Sequence, residues 1–216
     1  MLKKIALALA LSIACTSAFA LEVGPLSTIY APSQKAGVLH LSNTRDKEET
    51  YQITAEAWAV KDGKAVRSPT QDIFFAPSVI TVKPKSKQTV RWKLKTTPTG
   101  SELAFRIRVQ EMDTDIKPTV SGVKILMAFD FPWIWRDEAA KPSLSARWDG
   151  EKLMVKNAGN ATAQLTLLTA GAVSKKGLVG YVLPGAEEGF VIKGAKQPAQ
   201  VSVTVNAKEQ VLSVSK

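Results

Sequence analysis

The sequence predicts an all-β protein built as two β-sandwiches in series. Three observations carry that reading. From Val23 onward the chain is a succession of short runs in which apolar and polar residues alternate, with turn residues between them, the period-2 signature of half-buried strands. No segment carries a convincing helical apolar stripe. The strand pattern is broken once, at Pro132 and the stretch Arg136-Asp137-Glu138-Ala139-Ala140-Lys141-Pro142, and then resumes.

Residues 1–20 stand apart. Lys3 and Lys4 precede an apolar run from Ile5 to Ala14, and Ala18-Phe19-Ala20 is a small-x-small cleavage site, the layout of a secretory signal peptide. Cleavage after Ala20 leaves Leu21 first in a 196-residue chain. The alternative makes Cys15 a lipid-modified N-terminus, against which stands Ser12 where a lipoprotein signal carries Leu.

The first strands follow in order. Val38 to Leu41 runs into the turn-like Ser42-Asn43-Thr44-Arg45-Asp46. Tyr51 to Val60 places Tyr51, Ile53, Ala55, Ala57 and Ala59 on one face, and Asp62-Gly63 behind it signals a hairpin. Val79–Val82, Thr89–Leu94, Leu103–Gln110 and Val123–Phe131 continue the series. Seven or eight short strands at this spacing predict an antiparallel sandwich. Beyond the linker come Leu144–Trp148, the turn Asp149-Gly150, Lys152–Asn157, Gln164–Leu168, Phe190–Ile192, Val201–Val205 and Gln210–Val214. The expected organisation is a signal peptide at 1–20, a first domain at 21–137 and a smaller second domain at 141–216.

Composition limits what such a chain can do. Its 216 residues are 45% hydrophobic and 22% charged, ordinary for a globular protein and too apolar for wholesale disorder. The one long apolar run lies in the leader, which excludes a multi-span membrane protein. One Cys and one His remove most zinc sites, disulfide scaffolds and His- or Cys-based catalysis. Without the leader, 27 basic residues face 19 acidic ones, a net +8. Export argues against nucleic acid as the partner of that charge, leaving a basic soluble surface.

Individual residues add little enzymatic signal. His40 has no second His, Cys or carboxylate triad around it and reads as structural. Asp113 and Asp115 are two carboxylates without further oxygen ligands. Glu187-Glu188 reads as a solvated turn, and Lys83, Lys85, Lys87, Arg91, Lys93 and Lys95 as a basic face that is solvated, deters edge aggregation or meets an acidic partner. No catalytic residue, metal site or cofactor is expected.

A resemblance sharpens the expectation. Ala76 to Trp92, APSVITVKPKSKQTVRW, carries Pro77, Val82, Pro84 and Val90-Arg91 in an order that resembles the periplasmic pilus chaperones of the chaperone–usher pathway. Leu41-Ser42-Asn43, Ala55-Glu56-Ala57-Trp58, Glu102-Leu103-Ala104-Phe105, Trp135-Arg136 and Leu153 to Gly159 add to it, and together they span nearly all of 21–216. The resemblance implies two immunoglobulin-like domains set at an angle, like a boomerang. It also implies a non-enzymatic periplasmic protein that binds pilus or fimbrial subunits, lends them its seventh strand and delivers them to an outer-membrane usher.

That mechanism makes physical demands. A strand added at a subunit's sheet edge must offer main-chain hydrogen bonds and an apolar residue at every second position. Val123, Ile125, Met127 and Phe129 form such a row, interleaved with Lys124, Leu126, Ala128 and Asp130. Leu126 and Ala128 are then left to face the chain's own core. The family's best-known branch anchors the subunit's terminal carboxylate with an Arg on the first strand and a Lys on the seventh. Those positions fall here at about Ser27 and Pro132, a departure that resembles the divergent archaic branch. A carboxylate in a cleft calls for charge-assisted hydrogen bonds, and Arg108, Arg106 and Lys124 are the candidates. Glu102 and Arg136 match the family's inter-domain ion pair.

Rival classes stay open. A structural pilus subunit would bring a Cys pair and a donor extension ahead of the fold, and neither is seen. A sandwich hydrolase would need paired carboxylates. An exported binding module for carbohydrate or a surface protein, without chaperone activity, is the main alternative. Self-association of the free protein through the donor-strand edge is also open.

Overall fold

The computed structural model describes residues 21–96, 102–114 and 125–215. Every regular element among them is a β-strand. The first domain contains β1 (Leu21–Gly24), β2 (Thr28–Tyr30), β3 (Ala36–Asn43), β4 (Glu49–Lys61), β5 (Lys64–Pro69), β6 (Ile73–Ala76), β7 (Val79–Val82), β8 (Ser86–Leu94), β9 (Leu103–Glu111) and β10 (Ala128–Trp135). The second contains β11 (Leu144–Asp149), β12 (Lys152–Asn157), β13 (Ala163–Ala170), β14 (Val173–Val182), β15 (Glu187–Val191), β16 (Gln200–Val205) and β17 (Lys208–Ser215).

Alternation sends one face of each strand inward. On β8, Val90, Trp92 and Leu94 are buried while Arg91 and Lys93 point to water. Two sheets result, one ordered β1-β3-β8-β6 and the other β2-β10-β9-β4-β5 with β7 also on β4. Between them lies an aromatic core in which Tyr30 stacks on Trp135 at 4.7 Å and meets Trp133 edge-on at 5.5 Å. The indole N–H groups of Trp133 and Trp135 donate to the carbonyls of Leu26 (3.0 Å) and Gln34 (2.7 Å). These two buried rings thus keep their one polar atom satisfied, whereas the buried Trp92 N–H and Tyr51 hydroxyl find no partner among the described residues.

Asp62 and Gly63 turn the β4–β5 hairpin with φ of 52° and 75°, as a two-residue hairpin turn requires. Tyr51 and Ile53 are buried as expected, but Ala59 is exposed. By that point β4 has passed the rim of its own sandwich, and Trp58 and Val60 pack instead against the second domain's core.

Pro132 is not a linker residue. It lies inside β10, opposite Arg106 on β9. The N–H of Glu111 donates to the carbonyl of Met127 (2.8 Å), which makes Met127, Phe129 and Phe131 the hydrogen-bonded positions facing β9. Pro132 therefore directs its ring nitrogen away from β9, toward an edge where no N–H is needed.

In the second domain the order is β14-β13-β16-β17-β11-β12-β15. β17 joins its halves, pairing antiparallel with β16 and then parallel with β11 through Val214 and Ser215. Its core is mainly aliphatic, built around Leu153, Leu165, Leu168, Val182 and Val203, with Trp148 and Phe190 at its margin. β14 was not expected. Glu187 and Glu188 lie in strand β15 rather than in a turn, because their backbones pair with Lys156 and Val155. Glu187 also holds Arg147 at 3.0 Å.

A buried asparagine closes a strand in each domain. Asn157 donates to the carbonyls of Ala161 (2.8 Å) and Val182 (2.9 Å) and accepts from the N–H groups of Ser143 and Gly159. Asn43 donates to the carbonyls of Lys47 (2.7 Å) and Val82 (3.0 Å) and accepts from the N–H of Arg45 (2.9 Å).

Candidate functional site

β10 is covered on only part of its length. β2 pairs with it in parallel at Trp133, Ile134 and Trp135 and nowhere else. From Ala128 to Pro132 it has β9 on one side and, among the described residues, no strand on the other. By the ladder's alternation, the N–H groups and carbonyls of Ala128 and Asp130 point to the open side, while the Pro132 carbonyl already faces β2. Such an edge is a template for another strand.

Side-chain parity along this strand differs from the expectation. Phe129 pairs with Val109 and packs against the first domain's core, as do Phe131 and Trp133. The odd-numbered row thus faces inward, and Ala128 is the exposed residue. Leu126 does not line the chain's own core; it is exposed. Met127, level with Glu111 at the end of β9, is half-buried at the sandwich rim. Ile125 lies beyond that rim and is 80% exposed. The inward-facing row therefore continues past the end of its own core into water. Val123 and Lys124 lie outside the described residues.

The arginines of β9 diverge. Arg106 is buried, and its guanidinium is spent on Asp130: Nε donates to Oδ1 (2.6 Å), Nη2 donates to the Asp130 carbonyl (3.0 Å), and the two side chains form an ion pair. It also lies 5.1 Å over the Trp58 ring, which meets Tyr181 of the second domain edge-on at 5.5 Å. Arg67 of β5 holds the other Asp130 oxygen at 2.7 Å. Burial pushes the Asp130 carboxyl up, but the hydrogen bonds and charge of Arg106 and then Arg67 outweigh it and hold it below the usual carboxylate range. Arg108, opposite Asp130, is exposed and spends its Nε on the Gln110 side-chain oxygen (3.0 Å).

At the far end of β10 the two domains meet. Arg136 Nη1 donates to Glu102 Oε2 and to the Thr162 carbonyl, each at 3.1 Å. Thr162 returns both its donors to Glu102, the N–H to Oε2 (2.9 Å) and the hydroxyl to Oε1. All three residues are largely buried. The tip of the β4–β5 hairpin adds a main-chain bond, from the Glu187 N–H to the Gly63 carbonyl (2.8 Å). Ser27 and Pro132 line a cleft pocket of about 70 Å³ with Thr28, Thr162 and Tyr181, and Arg136 is its cationic wall.

Sequence reasoning did not find Thr162, Asp130 or Arg67 as working residues. Asp130 had a usable signal: it alternates onto the polar face opposite a strand carrying two arginines. Thr162 had none, since its role arises only where the domains touch. His40 is exposed on β3 with Nδ1 3.2 Å from the Thr89 hydroxyl. Asp115 lies outside the described residues, and among those residues no cluster of three metal-ligating side chains occurs. Nor, among them, is any helix long and apolar enough to cross a membrane.

Comparisons with known proteins bear on the whole arrangement. A family model described as pili and flagellar-assembly chaperone, PapD N-terminal domain, matches residues 20–140. Among solved structures, the chaperone–tip adhesion subunit complex CsuC–CsuE of the archaic chaperone–usher Csu pili of Acinetobacter baumannii matches with a TM-score of 0.72 at 21% identity, covering 92% of this chain and 99% of that one. The SafB chaperone in complex with the SafA pilin of Salmonella enterica matches at 0.69 and 19%, over 92% and 98%. The Escherichia coli chaperone DraB matches at 0.62 and 18%, over 92% and 99%. A comparison with curated protein sequences gives no significant match.

Proposed function

Because the chain belongs to the family of pili and flagellar-assembly chaperones, we propose that it captures pilus subunits in the periplasm by lending them β10 and the segment before it, then passes them to an outer-membrane usher. The family and fold are those of non-enzymatic pilus chaperones. The observation that carries the donor reading is the open edge from Ala128 to Pro132 beside an exposed Ile125. An apolar row that leaves its own core and continues into water is what a subunit lacking a strand needs to complete its own. Val123, Ile125 and Met127 are the donated side chains, and Phe129 stays with the chaperone's core. The signal peptide at 1–20 delivers the chain to the periplasm.

The subunit's terminal carboxylate is received by Arg108. Arg106 is committed to Asp130, so it serves as the support beneath the edge rather than as a second anchor. The lack of a cation at Ser27 and Pro132 supports placement in the archaic branch. The ion-paired cluster of Glu102, Arg136 and Thr162 holds the domains at their working angle.

The test is capture of the subunit that co-purifies with the chain from periplasm. Ile125→Asp places a charge on an exposed residue, so folding stability should stay within about 0.5 kcal/mol of wild type. Capture should be lost. Normal yields of complex from Ile125→Asp would remove the donor-strand reading. Arg108→Ala should weaken capture without abolishing it, and unchanged affinity would strike Arg108 from the anchor role.

A further inference from the structure

We propose that Arg45 is a positioning residue that sets the register of the donated segment, acting through Glu111 on Met127. The proposal rests on the donor-strand reading above. Nη1 of Arg45 donates to Glu111 Oε1 (3.0 Å) and to Glu49 Oε1 (3.2 Å), and Nη2 lies 3.3 Å from the Met127 sulfur. The second oxygen of Glu111 accepts the N–H of Met127 (3.2 Å), and the Glu111 N–H donates to the Met127 carbonyl (2.8 Å). Met127 is thus gripped at its N–H, its carbonyl and its sulfur by two residues. This happens at the residue where the chain returns to the sheet.

The grip is built on a fixed loop. Asn43, wholly buried, holds the N–H of Arg45 on its side-chain oxygen while its amide group ties down Lys47 and Val82. The Arg45 carbonyl accepts from the Lys85 N–H (3.3 Å). Glu111 is 2% exposed, and a buried carboxylate keeps its place only while its cation does. Register is what such a device controls. A slip of one residue exchanges Ile125 and Met127 for Leu126 and Ala128 on the face offered to the subunit.

A merely structural cluster would stabilise the rim of the sandwich without selecting a face, so the test reads the face. The chain beyond residue 20 contains no cysteine, and single Ile125→Cys and Leu126→Cys variants can be labelled with a maleimide in the complex with the co-purified subunit. With Arg45 present, the bound subunit should shield the Ile125→Cys thiol and leave the Leu126→Cys thiol reactive. With Arg45→Ala added, the contrast should vanish, and the Met127 and Glu111 amides of the free chain should exchange about tenfold faster, the equivalent of one charge-assisted hydrogen bond. The Phe105 and Ile107 amides should not change. Loss of all capture at an unchanged urea midpoint also supports the proposal. Retention of the full labelling contrast, or unchanged Met127 exchange, overturns it. Glu111→Gln, which keeps the shape and removes the charge, is read the same way if Arg45→Ala fails to fold. Should the wild-type chain capture no subunit, the donor reading fails, and the exchange measurement still decides whether Arg45 holds Met127.

Discussion

The two halves of β10 share one strand and one partner in β9, yet their surroundings are opposite. From Trp133 to Trp135 the strand is paired on both sides and its rings are sealed among Tyr30, Trp92 and Phe105. From Ala128 to Pro132 one side has no strand among the described residues, and before it Ile125 stands in water. A strand can offer its edge only if something else fixes it, and the sealed half is that fixture. On the proposed donor reading, stability and function are therefore separated along this strand, and mutations in the two halves should report on different properties.

The sharpest break of that contrast is Trp133→Ala. The ring is wholly buried and touches Tyr30, Phe75, Trp92 and Phe131, so its removal should cost about 3–5 kcal/mol in urea unfolding. A cost under 1 kcal/mol would mean that the aromatic seal does not hold the strand. Ile125→Asp is the counterpart, with little effect on stability and a large one on capture.

Thr162→Val probes the junction at the sealed end. The change is near-isosteric and removes only the hydroxyl that Glu102 accepts. Losing a hydrogen bond to a buried charged group should cost about 1.5–3 kcal/mol. The loss should appear in the unfolding of the full chain and in the relative motion of the domains measured by NMR relaxation. An unchanged midpoint would mean that Arg136 and the Thr162 N–H hold Glu102 without help.

The β class was legible because alternation is local: Tyr51 and Ile53, or Val90 and Trp92, declare their face without knowing the fold. Asp62-Gly63 was legible for the same reason. β14 was not, because Lys175-Lys176 and two glycines interrupt its pattern. Gly180 is there because a Cβ would sit 2.6 Å from the Phe190 ring, a tertiary demand that looks like a loop in one dimension. Pro132 misled similarly, since a proline is admissible in a strand only at an open edge and openness is a property of the sheet. The apolar row before β10 was visible as alternation, but its direction was not. Which parity faces inward is settled by pairing with β9, and the row matters only because β9 ends at Glu111 while the apolar residues do not. Thr162 and Arg45 act through contacts with residues 60 and 66 positions away, which no local pattern records.

The smallest predicted effect concerns the open half's own polar support. Asp130 is held by Arg106 and Arg67 below its ordinary range, and its side chain remains partly exposed to solvent. A carboxyl with a folded value below its unfolded one adds stability that is complete above the unfolded value, about 3.9 for Asp, and is lost as pH falls through the folded value. Asp130→Asn should therefore be less stable than wild type at pH 7, by no more than about 1 kcal/mol given solvent screening. That gap should close progressively below about pH 4, where the wild-type carboxyl takes up its proton and resembles the amide. Urea midpoints of the two proteins at pH 7, 5 and 3 test this directly. A gap that persists unchanged at the lowest pH would show that Asp130 supports the edge by shape and its main-chain partner, and that the charge of Arg106 is satisfied elsewhere.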